Sequence, residues 1–289
     1  IMNQNDVRDG GHFDDIAAYG GWTMDDHNPA GINTKDKPNI FHPAPSPFGI
    51  PYRCLYSVNI ENLYFAGRNI SVTHTAMSAS RVMATCALLG QAVGTASAIA
   101  IKNGVTPREI SEKYICELQQ MLMDDDCWLP YCKTKISELT ITSTGEDAEL
   151  LLNGIERHYG DDKNCWSGKI GDTVTFSFDS EKAINEVRFV FNSDLNRETT
   201  GAGKYIPEKM NTCNVHKNAP ALNVPKTLVK DMKIEIKNAD DKWQEIDGIK
   251  ENHQRLVKIK IGKTTKAIRF TLTSTNGNEI ADIYSIDLR

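Results

Sequence analysis

The residues best suited to chemistry cluster between Gly67 and Met83, with an outlier at His27. Gly67 removes a side chain where one would block the close approach of a ligand backbone. Arg68 follows it and can pair with a phosphate oxygen. Further on, Arg81, Val82 and Met83 stand where a helix should begin, and the free N–H groups of a helix start carry partial positive charge. Arg81 adds a full charge there. His74 sits in the intervening turn, and His27 follows two aspartates, Asp25 and Asp26. An imidazole in such a place can donate or accept a proton near neutral pH. The same residues also fit a tightly packed strand-turn-helix with a surface arginine, and each histidine also fits a hydrogen-bonded loop position.

The elements that must position these groups are legible in outline. NLYFA (62–66) reads as a short buried strand, and the small-residue run from Ser80 to Ile101 as a helix with a C-cap at Asn103-Gly104. That helix is apolar on nearly every face, through Ala84, Ala87, Leu88, Val93, Ala96, Ala98 and Ile99, which is the pattern of a helix enclosed in a larger domain. Gly90 and Gly94 place two bare spots on one face. Glycine costs about 1 kcal/mol per helical position, so close packing of another backbone is the expected reason. Thr106-Pro107 starts a second helix whose stripe is Ile110, Tyr114, Ile115, Leu118, Met121 and Leu122, ending near Asp124–Asp126. Residues 1–60 are rich in Gly, Pro, Asn, Asp and His and read mostly as loop.

After Pro130 the texture changes. KISELTITS, DTVTFSFDS, AINEVRFVFNS, VKDMKIEIKNA, DKWQEIDGI, HQRLVKIKIGK, TKAIRFTLTST and IADIYSIDLR alternate apolar with polar residues between Asn, Gly, Asp and Lys turns. Period-two patterning of this kind predicts antiparallel strands with one buried face, and so many short strands predict a sandwich or jelly roll. The expected architecture is α+β with two domains, residues 1–133 and 134–289.

Composition excludes several classes. The chain has 289 residues, a net charge of −5 and 40% hydrophobic residues. That balance argues against nucleic acid or an anionic membrane surface as partner. No apolar run stands out as reaching the roughly 18 residues that span a bilayer, so no transmembrane segment is expected. The seven cysteines, at 54, 86, 116, 127, 132, 165 and 213, form no CxxC pair, and no zinc ribbon or disulfide framework is expected. Cys127 and Cys132 are close enough to bridge a loop. No metal-ligating residue is assigned: the carboxylates and carbonyls near 153–162 lack EF-hand spacing.

The spaced elements NLYFAGRNIS, SASRVM and GQAVGTA, with DDIAAYGGWTMDDHNPAG and FGIPYRCL upstream, resemble the carboxyl-terminal end of flavin-dependent oxidoreductases with a glutathione-reductase-like dinucleotide fold. The likeness covers about residues 10–102. It implies an FAD cofactor, with Gly67, Arg68, Ser71, Arg81, Val82 and Met83 as cofactor-binding residues. It also implies that the helix start faces the pyrimidine edge of the flavin, with His27 and His74 as catalytic candidates beside it. A dinucleotide fold further needs a GxGxxG turn between strand and helix. The glycine-dense stretches at 10–11, 20–21 and 201–203 do not have that context. The expectation is therefore a carboxyl-terminal piece of an FAD/dinucleotide-binding α/β domain. It would lack its amino-terminal part, hold at most half of an FAD site and be inactive by itself.

ELLLNGIERHYGDDKNCWSGKIGDTVTFSFDS resembles the discoidin-like, galactose-binding-like sandwich family. This likeness implies a sugar or glycan ligand held by loops at one end. His158, Tyr159 and Tyr205 are the carbohydrate-binding candidates, since aromatic faces stack on sugar rings. Trp166 reads as a core plug. Two functions follow: an FAD-dependent oxidoreductase acting on a sugar or glycan-derived substrate, or a non-flavin glycan-binding or lyase-type polysaccharide-processing protein. The sandwich fusion favours a bacterial, secreted or periplasmic setting.

Overall fold

The computed structural model describes residues 1–136, 139–158, 161–194 and 224–289. They form two compact units, Ile1–Thr134 and Lys135–Arg289.

The first unit opens with α1 (Gln4–Arg8), started by a capping box in which Asn3 and Asp6 each satisfy the other's backbone N–H. Four strands follow: β1 (Ile16–Gly20), β2 (Met24–His27), β3 (Asn39–His42) and β4 (Phe48–Pro51). β1 pairs antiparallel with β4, and β2 with β3, as two separate ribbons. The loop expected over residues 1–60 therefore carries strands. Burial outweighs composition here: Phe48, Ile50, Ile16 and Ala18 are fully enclosed. The strand expected at 62–66 is not present. Its backbone makes three bonds to the preceding turn, Ser57 N–H to Leu63 O, Leu63 N–H to Ile60 O and Phe65 N–H to Leu55 O, and one bridge between Tyr56 and Tyr64, too little for a ladder.

The helical part comprises α2 (His74–Ser80), α3 (Met83–Asn103), the single turn α4 (Pro107–Glu109), a π-helical turn (Ile110–Tyr114) and α5 (Ile115–Asp124). Thr106 and Glu109 form a capping box at the predicted start, and Gly104 closes α3 in the left-handed conformation at φ 63°. α3 packs against β1 and α5 through Leu89, Ala92, Ala96 and Ile99. Its other face is open: Met83 is 89% and Ile101 83% exposed. A Cβ on Gly90 or Gly94 would meet no atom within 4 Å, so no backbone among the described residues packs there, contrary to expectation. At 21 residues, with a mean hydropathy of 1.5 over its most apolar window, α3 is long and apolar enough to cross a membrane by length and composition. A core helix can have the same length and composition, so this is no clear transmembrane span. The inner face of α3 is committed to the protein core.

The second unit is an antiparallel β-sandwich. Its strands are β5 (Thr140–Ser143), β6 (Trp166–Lys169), β7 (Thr173–Phe191), β8 (Val229–Lys237), β9 (Trp243–Ile249), β10 (Leu256–Thr275) and β11 (Ile280–Leu288). Their order is β6-β11-β7-β10-β8-β9, with β5 beside β7. The eight predicted strands become fewer because β7 and β10 each join two of them. Both run on through bulges at Lys260/Lys263 and Thr265/Ala267, where polar residues resemble turns. The core gathers Phe176, Phe189, Phe191, Phe270 and Trp166. Trp166 is the expected plug, 1% exposed, with its indole N–H donating to Ser143 Oγ at 2.7 Å.

Candidate functional site

In the first unit, the β2–β3 ribbon packs against α2 and brings together residues far apart in sequence. Asp25 and His27 are two apart on β2 and share one side of the strand. Both reach Arg81, which occupies the break between α2 and α3. One Arg81 terminal nitrogen donates to the Asp25 carbonyl at 3.1 Å and lies 2.9 Å from His27 Nε2. Arginine only donates, so His27 Nε2 accepts and the ring proton in this arrangement sits on Nδ1. The Asp25 carboxylate stands 3.7 Å from His27 Nε2 and 4.0 Å from Arg81, and Asn39 Nδ2 holds its other oxygen at 2.8 Å. Asp26, between them, turns to His74: its Oδ1 is 3.7 Å from His74 Nδ1. That buried oxygen has no hydrogen-bond partner among the described residues.

His27 and Arg81 thus meet with the Asp25 carboxylate, while Asp26 and His74 form a second pair, turned to the other side of β2 by the alternation of the strand. The histidines are open to solvent, with side-chain exposures of 55% and 62%, while Arg81 is largely covered at 24%. Asp25, Asp26 and Asn39 are site residues the sequence reading did not assign. The signal for the aspartates was the DDH run, but their roles required the ribbon.

The break at Arg81-Val82 also makes a new helix start. Val82 is the N-cap of α3, no side chain caps it, and Met83 is exposed as the first helical residue. α3 is long enough for its terminal N–H groups to present positive charge. Gly67 adopts φ 98°, a conformation that suits glycine alone, and a Cβ there would lie 3.9 Å from Cys86 Sγ in the first turns of α3. Arg68 is exposed, and no described residue pairs with it. Ser71 is tied through its backbone, donating to Cys54 O at 2.9 Å and accepting from Met2 N at 3.0 Å. The turn therefore lies against the start of α3, with one arginine fixed and one open.

Residues 1–122 match the family model for FAD dependent oxidoreductases. The matched segment contains both groups and the Gly67–Arg68 turn. A search of curated proteins found no match. Among solved structures, similar ones include the family 32 carbohydrate-binding module of Streptococcus pneumoniae EndoD, at 18% identity and TM-score 0.38, covering 54% of this chain and 97% of that one. The family 32 module of C. perfringens NanJ, in complex with galactose, is 10% identical at TM-score 0.34, covering 52% and 92%. The module of AlyQ in complex with 4,5-unsaturated mannuronic acid is 14% identical at TM-score 0.34, covering 55% and 98%.

Of the carbohydrate candidates, Tyr159 and Tyr205 lie outside the described residues. His158 is half-buried, edge-on to Tyr284 with ring centroids 5.6 Å apart.

Proposed function

We propose that the first unit forms one wall of the FAD site of an oxidoreductase. The observation that carries this reading is the contact of His27 and Asp25 with Arg81 beside an uncapped helix start, with His74 paired to Asp26 of the same strand, inside the segment matched by the family model.

The residues fit part of the cofactor. The open N–H groups at Val82 and Met83 and the Arg81 charge suit an electron-rich edge, and the exposed Arg68 beside Gly67 suits phosphate or ribityl oxygens. When bound, FAD supplies hydride acceptance. Arg81 holds His27 by its Nε2, leaving the Nδ1 proton as the one that ring can give. Asp26 faces His74 and can stabilise it when it takes a proton. No described glycine-rich turn joins a strand to a helix to hold a pyrophosphate, and the outer face of α3 is bare around Gly90 and Gly94. On this reading, the remaining wall comes from polypeptide outside these 289 residues, and the present chain alone retains no flavin and is inactive.

The sandwich unit adds the substrate class. Its Leu-Leu-Asn-Gly and Trp-Ser elements resemble galactose-binding-like domains, and the substrate is accordingly a sugar or glycan-derived compound, met outside the cytoplasm of a bacterium. The competing function is a glycan-binding or lyase-type protein without flavin. A visible absorption spectrum of the longest native polypeptide containing this chain separates the two: bound flavin supports the oxidoreductase, and its absence supports the alternative.

A further inference from the structure

The second unit holds a mixed-donor cluster that plays no part in the function proposed above. His158, Cys165 and Asp282 each offer one ligand atom, and these atoms lie within 4.8 Å of one another. Three features of the fold assemble them. Cys165 immediately precedes β6, and Asp282 lies on β11, which pairs with β6 in the register Asp282 opposite Ser167. Asn164 ties neighbouring segments together: it is 8% exposed, its Nδ2 donates to the carbonyls of Arg157 and Asp162 at 3.3 Å each, and its Oδ1 accepts from Asn153 at 3.1 Å. His158 Nε2 lies 4.0 Å from Cys165 Sγ.

The geometry points to a site for a zinc-type divalent transition-metal ion held by His158, Cys165 and Asp282. With bonds of about 2.0–2.1 Å to nitrogen and 2.3 Å to sulfur, a tetrahedral ion separates the two donors by about 3.6 Å, a small closure from the observed spacing. The donor chemistry selects the metal: thiolate and imidazole suit zinc-like ions, whereas calcium and magnesium take all-oxygen shells. Outer partners aim the carboxylate. Ser167 Oγ donates to Asp282 Oδ1 at 2.7 Å and Asn192 Nδ2 to Oδ2 at 3.1 Å. Metal sites use such partners to fix ligand orientation. Three protein donors leave the fourth position for water or another ligand.

The thiol has little other chemical use. Cys165 is 1% exposed. An ordinary nucleophilic cysteine is accessible and readily ionised. Here the metal must displace the proton: the S–H bond breaks, the sulfur–metal bond forms, and the proton leaves to solvent.

The test uses the full chain, with Zn2+ and Co2+ salts alone as probes. One equivalent of Zn2+ should remain through equilibrium dialysis, and Co2+ should give a thiolate charge-transfer band. Cys165→Ser should abolish the band, and His158→Gln should weaken retention at least about tenfold. Cys116→Ser, altering an exposed cysteine, should leave both unchanged. His158 is half-buried, so His158→Gln remains informative if Cys165→Ser fails to fold; circular dichroism checks each variant. No retained metal, or full retention in His158→Gln, overturns the site. So does a band lost in Cys116→Ser but kept in Cys165→Ser.

Discussion

Arg81 joins two otherwise separate pieces of the site. It reaches 54 residues back to His27 while standing at the start of α3. A charge-assisted contact of this kind is worth roughly 1.5–3 kcal/mol. Arg81→Ala and Arg68→Ala should therefore each weaken FAD retention by the complete polypeptide about ten- to hundredfold, as measured by equilibrium dialysis with FAD. Unchanged retention in both folded variants would remove the assigned roles. His27, His74 and Arg81 could be singled out in the sequence because each stands in a local motif, and their roles belong to the proposal. Asp26 could not be, because its orphaned oxygen exists only when β2 packs on α2. His158 was read as a stacking candidate; it is half-buried with Nε2 4.0 Å from Cys165 Sγ, a contact that period-two patterning cannot reveal.

Elements show where local pattern suffices and where it fails. The Thr106 start and Gly104 stop were legible because caps are local devices. Thr106→Ala should cost about 0.5–2 kcal/mol, read as faster amide exchange in the π-helical turn and α5. The partner of that cap also titrates. The Glu109 carboxyl is held down to about 2, first by Lys113 and then by the Thr106 N–H and hydroxyl. A lowered pKa stabilises the fold fully above the ordinary carboxylate range, and the benefit fades as pH falls through about 2, so the protection of this segment's amides, referred to the intrinsic exchange rate at each pH, should fall on acidification across that window. By contrast, β7 and β10 were each read as two strands, since Asp179–Lys182 and Gly262–Lys266 look like turns and only cross-strand register shows the chain continuing. β6 was missed because its alternation is masked by glycine. That glycine is a packing requirement: a Cβ on Gly168 would lie 2.0 Å from the buried Trp166 ring. Gly168→Ala should destabilise the sandwich by about 1–3 kcal/mol or more in denaturant melts.

At the scale of the molecule, the two units differ in how completely they enclose their own cores. The sandwich surrounds its aromatic cluster and adds a buried ion pair, with Arg188 bound to both Glu156 oxygens at 2.5 and 2.9 Å. Breaking such a pair from one side costs about 3–5 kcal/mol, so Glu156→Gln should lower the melting of the second unit selectively. The first unit leaves α3 open along one side, with apolar ends exposed at Met83 and Ile101. It should be the first to unfold, giving two transitions by calorimetry, and a single cooperative transition would contradict this. The change of texture after Pro130 was legible in the sequence. The open face of α3 was not, because a helix apolar all round shows no pattern that says which side is covered.

The central claim is that the first unit is one wall of an FAD site, and the flavin content of the longest native polypeptide containing these 289 residues tests it most directly. The account predicts about one FAD per chain in that polypeptide by visible absorbance after gel filtration, loss of much of it in Arg81→Ala, and none with the present chain alone. A folded, complete polypeptide that takes up no FAD, or that holds it equally well without Arg81 and Arg68, would contradict the account.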